Sequence, residues 1–551
     1  MTQDTLPRRT SEIAQHAQHT NYSAGEKNFE SELSKSGQQS SQTSTNMVQT
    51  TYRYLEWSTL PSDIYPFPER LPASVMKQTD PFTWKKEHKS MILALACFST
   101  GMTAYAAGAY TSGISQMSEE WGVGRTALLV GVTTYTTGFA IAPLFLAPLS
   151  EVYGRRQVFL WTFGLFNICH LSSALCHSYP GMLVARFFLG VGGSTFSTMV
   201  GGIISDIYHA PDRGLPMSLF STCGLAFTGV GPLVSGFVND NLSWRWIHWI
   251  QLILNGVAMP IAYFVLKETR GSVLLSRRAR ALNRWLGENE ESDEGQKELE
   301  NAGGMRVRWK VLADEERESM AIVISVSLTR PFRLLFTESV VFWFSMWVSF
   351  AWALLFLFLQ GVPLVFKENH GFDTSQTGMV FIAMVVGTLI ALGLNTLIEY
   401  FAKKYFLAGN AQPDPEWRLY SSCIIGCCLP IGMFWFGWTS FSSQHWILPS
   451  MGVGCATIGI YAIYLAVFNY LADVYHRYSS SAIAAQSFCR NMLAGCFPLV
   501  TTAMFHRMTF AGASSFLGGV AALLTIVPWV LVFFGTRIRA RSAFAKEIMA
   551  T

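Results

Sequence analysis

Asp206-Ile207-Tyr208-His209 closes one long apolar stretch, and Asp473-Val474-Tyr475-His476 closes another. Pro232-Leu233 follows the first and Pro498-Leu499 the second, so the offsets are 473 − 206 = 267 and 498 − 232 = 266. Two separate landmarks repeating at nearly one interval read as a single membrane unit written twice. Doubling of this kind is the pattern of a secondary transporter whose halves rock about a central site.

Composition points the same way: half of the 551 residues are apolar and only 14% are charged, which excludes a soluble fold. Uncharged stretches of about 20 residues recur, each long enough to cross a bilayer. Twelve are read, at 91–114, 126–149, 158–176, 183–204, 217–238, 247–265, 341–362, 378–398, 419–438, 447–471, 482–505 and 516–534. Lipid offers backbone N–H and C=O groups no partner, so each must be helical. The expected fold is an all-α membrane protein with twelve transmembrane helices in two pseudo-symmetric six-helix bundles, residues 85–267 and 336–536.

Basic residues set the orientation. Lys85, Lys86, Lys89, Arg155, Arg156, Arg213, Lys403, Lys404, Arg477, Arg537, Arg539 and Arg541 fall beside one face, against Arg125, Arg245, Lys367 and Arg507 beside the other. The richer face is expected to be cytoplasmic, with both termini inside. The net charge of +4 gives no reason to expect a nucleic-acid partner.

Outside the spans, residues 1–84 are rich in Ser, Thr, Gln and Asn without an apolar period, and read as a disordered cytoplasmic tail. Residues 268–335 read as a cytoplasmic linker, in which Leu274, Leu275, Leu282 and Trp285 alternate with Arg277, Arg278, Arg280 and Arg284. That pattern suits a helix lying on the inner membrane surface. Acidic residues 288–300 follow, and 537–551 form a short cytoplasmic C-terminal tail. All ten cysteines lie in or at the ends of spans, so they read as free thiols packed as small apolar groups. The Cys and His residues lack the paired spacing of a structural zinc site, and neither metal nor cofactor is expected.

The strongest local signal is Ala147-Pro148-Leu149-Ser150-Glu151-Val152-Tyr153-Gly154-Arg155-Arg156, between the second and third spans. A four-residue spacing places Glu151 and Arg155 where opposite charges pair, and Gly154 permits a sharp reversal. This loop resembles the signature of the major facilitator superfamily, Gly-x-Leu-Ala-Asp-x-x-Gly-Arg-Arg/Lys, with Ala147 for its first glycine and Glu151 for its aspartate. Arg186 followed by Gly190, Gly192 and Gly193 resembles the family's buried-arginine motif. Gly231-Pro232-Leu233-Val234-Ser235-Gly236 resembles its antiporter motif, from which Ser235 departs. The likeness covers roughly 85–541.

Three stretches look like the fungal drug:proton antiporters with twelve spans: Leu149 to Arg156, Pro331-Phe332-Arg333-Leu334-Leu335-Phe336-Thr337-Glu338, and Pro415-Glu416-Trp417-Arg418-Leu419-Tyr420. The resemblance implies a monomeric transporter in the plasma membrane. It would export small amphipathic molecules (a drug, a toxin or a secondary metabolite) against inward proton flow. An organic-acid or polyamine exporter is the second reading, and a nutrient importer the third. A membrane enzyme would need clustered His, Asp or Ser at one face, which the sequence does not show.

Candidate residues follow. Glu151, Arg155, Arg156 and Asp206 form a set of charges that would latch the inner gate, with Gly154 at its turn; Glu399, Lys403 and Asp473 form its second copy (399 − 151 = 248). Ionisable groups inside a bilayer are costly and mark function, which selects Arg186, expected to face the cavity, and Arg490. Glu338, at the inner mouth of the seventh span, is the candidate proton carrier, since the first span has no acid. The first, seventh and tenth helices line the cavity in this superfamily. On them Tyr105, Tyr110, Trp343, Trp347, Trp352, Phe356, Tyr461, Tyr464 and Asn469 are candidates to contact planar or amphipathic cargo.

Overall fold

Apolar stretches that cannot leave backbone groups unpaired become helices, and the computed structural model is built of them. It describes residues 49–59, 72–209, 212–290, 305–315, 319–405, 415–475 and 478–539. His476, Arg477 and the side chain of Lys403 lie outside the described residues, as do the acidic stretch after 290 and the last twelve residues. In chain order the bundle helices are α1 Lys86–Trp121, α2 Arg125–Tyr153, α3 Arg155–Ala174, α4 Tyr179–Ile207, α5 Gly214–Asn241, α6 Arg245–Val265, α7 Ser339–His370, α8 Thr374–Phe401, α9 Glu416–Thr439, α10 Ile447–Tyr475, α11 Ser479–Met508 and α12 Phe510–Ile538.

Eleven described helices are long and apolar enough to cross a membrane. Ten of these coincide with expected spans. The expected third and eleventh spans form α3 and α11, which carry too many polar residues to meet the same measure. The remaining one, Met320–Thr337, lies in the linker and was not anticipated; little of it is buried, and Ile322 and Phe336 are exposed.

The duplication is visible in how helices pair. In the first half α1 packs on α5, α2 on α4, α3 on α4 and α3 on α6; these pairs recur as α7 on α11, α8 on α10, α9 on α10 and α9 on α12. Across the halves, α2 meets α11 and α5 meets α8. Small residues make the tightest approaches, as is usual where lipid removes the hydrophobic drive for helices to associate. A side chain at Gly138 would strike the backbone of Phe187, and one at Gly190 the backbone of Tyr135, so α2 and α4 touch main chain to main chain. Large apolar side chains such as Trp161, Phe264 and Phe533 are left on the outside of the bundle, where only lipid suits them.

Two expectations outside the bundle are corrected. The segment 1–84 is not uniformly without structure: Gln49–Tyr54 is a strand paired with a second strand, Met305–Lys310, in the linker. The chain divides into two compact units, Arg53–Gly287 with Trp309–Thr551, which holds all twelve helices, and Met1–Tyr52 with Glu288–Arg308. The linker helix Gly271–Glu290 turns its apolar face to protein rather than to lipid, with Leu274, Leu282 and Leu286 buried. Asn283 in that helix both donates to the Trp309 carbonyl and accepts from the Trp309 N–H, each at 2.8 Å.

Candidate functional site

One residue separates α2 from α3. Gly154 sits at φ 102°, ψ 150°, a conformation open to glycine and strained for any residue with a Cβ. A Cβ there would also collide with the Glu268 carboxylate. That carboxylate, just past the end of α6, accepts from the N–H groups of Arg155 at 2.8 Å and Arg156 at 3.3 Å. It thereby caps the unpaired amides at the start of α3. The Arg155 side chain then reaches Asp206 at the end of α4, Nε to Oδ2 3.1 Å, and Nη1 donates to Ser150 at 3.1 Å. Arg270 adds a second cation 3.7 Å from Asp206.

Glu151 is exposed and pairs with nothing in this cluster, against expectation. One turn of helix from Arg155 would suffice for contact, but the glycine reversal turns the two side chains away from each other. Arg156 points outward too, donating to the Tyr263 carbonyl at 2.9 Å.

In the second half, Asp473 ends α10 as Asp206 ends α4, and its partner is Arg418, Nε to Oδ2 2.9 Å. Glu399 instead accepts from Asn395 one turn earlier on its own helix, at 3.2 Å. The structural counterpart of Arg155 is therefore Arg418 at the entrance to α9. Sequence reasoning missed both Arg418 and Glu268. A signal for Arg418 existed, since Arg155 precedes Asp206 by 51 residues and Arg418 precedes Asp473 by 55.

Midway between the two ends lies a cavity of about 60 Å³. Hydroxyl groups of Thr100 and Thr103 on α1, Thr136 on α2, Ser197 on α4, and Ser221 and Thr228 on α5 line one half. The other half presents Trp352 and Phe356 from α7, Tyr464 from α10, and Arg490 and Asn491 from α11, and Tyr135, Phe139 and Phe220 complete the wall. Among the described lining residues none is Asp or Glu.

Of the aromatics expected to line it, Tyr464, Trp352 and Phe356 do so; the others face elsewhere. Tyr110 donates to the Leu128 carbonyl at 3.0 Å, and Tyr105 is buried outside the cavity wall. Trp347 packs toward Gly426 of α9, and Trp343 is half exposed on the outer surface. Asn469 lines a separate small pocket beside Glu399 and Arg418. Spans surrounded by packed helices offer several buried faces, and residue type alone does not distinguish them.

Arg186 is also corrected: fully buried, it lies behind the cavity wall. Its Nε and Nη1 donate to the carbonyls of Gly131 (3.2 Å) and Ala106 (3.1 Å), and its guanidinium lies 4.2 Å and 4.7 Å from the ring centroids of Tyr110 and Tyr135. It ties α4 to α1 and α2. Glu338, buried at the start of α7, accepts from the Tyr475 hydroxyl at 3.2 Å, away from the cavity. His170 faces His248 across α3 and α6 with their Nδ1 atoms 3.5 Å apart.

Contacts between the halves lie on both sides of the cavity. On the side away from Arg155, Arg125 donates to Gln360 at 3.2 Å, the Ser375 N–H to Asp240 at 2.7 Å, and Thr133 to the Gly495 carbonyl at 2.7 Å. There α5 serves two neighbours. A Cβ at Gly231 would come within 2.8 Å of the Tyr105 carbonyl on α1, Pro232 abuts Gly108, and a Cβ at Gly236 would lie 3.3 Å from Gly378 on α8. On the latch side Tyr461 donates to the Ser218 carbonyl at 3.2 Å, and Phe468 lies over Gly201.

The sequence profile of the Major Facilitator Superfamily matches residues 95–498. Relatives include the MFS-type transporter paaT of Penicillium rubens, 32% identical over 85% of this chain and 82% of its own length. Efflux pump FUB11 of Gibberella moniliformis is 30% identical over 84% and 75%. The major facilitator superfamily multidrug transporter mdrA of Aspergillus fumigatus is 30% identical over 85% and 74%. A solved structure of the proton:xylose symporter XylE, bound to 6-bromo-6-deoxy-D-glucose, superposes with a TM-score of 0.57 over 82% of this chain and 97% of that one. Its 14% identity makes that a likeness of fold alone.

Proposed function

The chain belongs to the Major Facilitator Superfamily, and from that premise we propose that it exports small amphipathic molecules from the cytoplasm across the plasma membrane by alternating access, in exchange for protons. The observation that carries this reading is the central cavity, whose wall is shared by α1, α2, α4 and α5 on one side and α7, α10 and α11 on the other. A site at that seam changes its accessible face whenever one bundle rocks against the other. Rings and hydroxyls in its wall suit cargo held by apolar area with a few polar contacts.

The latch side is the cytoplasmic one in this reading, as the basic residues beside it favour. Glu338, which accepts from the buried Tyr475 hydroxyl, is the candidate for coupling to protons. The polyamine alternative loses weight, because no carboxylate among the described residues lines the cavity to meet a polycation.

Reconstituted vesicles with an imposed proton gradient test the proposal. An amphipathic fluorescent drug should move against its own gradient when protons flow the opposite way, and a protonophore should stop it. Accumulation that persists after the proton gradient collapses overturns the coupling, and the absence of any drug movement overturns the export reading.

A further inference from the structure

Among the described residues that line the cavity one side chain is charged, and most of its hydrogen-bonding capacity is unused. Arg490 is 3% exposed, with its guanidinium 4.6 Å from the Trp352 ring centroid and 5.0 Å from that of Tyr464. Nη2 reaches the Ser487 hydroxyl at a long 3.5 Å, while Nε and Nη1 are buried with no partner. The comparison with Arg186 is direct, because there two backbone carbonyls receive Nε and Nη1 and Nη2 alone is left without a partner. Around Arg490 the described wall supplies rings, hydroxyls and an amide, and no anion.

A buried guanidinium without a counter-charge is unfavourable, and its planar array of donors matches a carboxylate. We propose that Arg490 is the anion anchor of the transport site and that the cargo class is small planar or aromatic monocarboxylates, held with the carboxylate on Arg490 and the ring against Phe356 and the facing wall. This rests on the export reading above and names its substrate class. One cation among the described lining residues matches one negative charge, so a dicarboxylate would carry an uncompensated second charge into the site.

The test uses purified full-length protein and a matched pair of probes, 1-naphthylacetate and 1-naphthylacetamide, with binding followed by quenching of tryptophan fluorescence and by calorimetry. The acid should bind about ten- to a hundred-fold more tightly than the neutral amide, the difference a charge-assisted contact supplies. Arg490→Gln should abolish that preference. The acid–amide comparison needs no variant, so poor folding of Arg490→Gln would not remove the test. Equal affinity for the two probes, no binding of the acid, or undiminished acid preference in a folded Arg490→Gln overturns the proposal. Binding is read without transport: preference for the acid together with absent flux would support the anchor and sink the export reading instead.

Discussion

The two latch pairs share a sequence pattern and differ in what surrounds them. Arg155 and Asp206 leave 8% and 11% of their side chains exposed, and the pair is braced by Arg270, Ser150 and the Glu268 cap. Arg418 and Asp473 leave 23% and 39% exposed, with a direct ion pair of similar length. Distance alone would rank them equal. Burial separates them, because breaking a buried pair strands a charge that water cannot reach, whereas an exposed pair is screened and quickly rehydrated. The first half is thus built as a rigid corner, and the second as a contact that opens at low cost.

Removing one partner of the buried pair should have the largest effect. Asp206→Ala is expected to cost about 3–5 kcal/mol, read as a large fall in the denaturation midpoint of the solubilised protein together with loss of flux. A midpoint unchanged from wild type would erase the distinction between the halves. Gly154→Ala should come next, at about 1–3 kcal/mol for the backbone conformation alone, with further loss from displacing Glu268 off the α3 amides. Restoration of the midpoint by a second change, Glu268→Ala, would show that the collision matters more than the dihedral. Smallest is Asp473→Ala, expected to lower stability by about 1 kcal/mol or less while altering the balance of inward and outward access, read by site-specific labelling near Tyr461. A loss as great as that of Asp206→Ala would mean that both corners are equally rigid.

Much of the architecture was readable from residue order. The 267-residue repeat, the spans and the glycine motifs describe a twelve-helix duplicated bundle, and the helix pairs α1–α5 and α7–α11 realise it. The site was less legible. Asp206 and Arg155 were readable as a pair because both fall at helix ends, where sequence position and depth coincide. Glu268 escaped notice because its role is to cap amides of a helix more than a hundred residues earlier. Tyr110 and Trp347 looked like cavity residues because they are aromatic and lie on helices that line the cavity, yet Tyr110 packs against Arg186 and Trp347 toward α9.

Residue order by itself determined that this chain crosses a bilayer many times, that it does so as two copies of one unit, and that arginines are buried among the spans. Those conclusions need only the length of apolar runs, the scarcity of charge and the spacing of landmarks. Which arginine is spent on structure and which is left facing open space was decided by the tertiary fold. Arg186 meets carbonyls because close α2–α4 contact at Gly138 and Gly190 brings Gly131 within its reach and α1 presents Ala106, and Arg490 meets a cavity because α7 and α10 flank it with ring faces rather than backbone carbonyls. Hydrogen-bond satisfaction depends on the positions of neighbouring helices, and no local pattern in the chain encodes those.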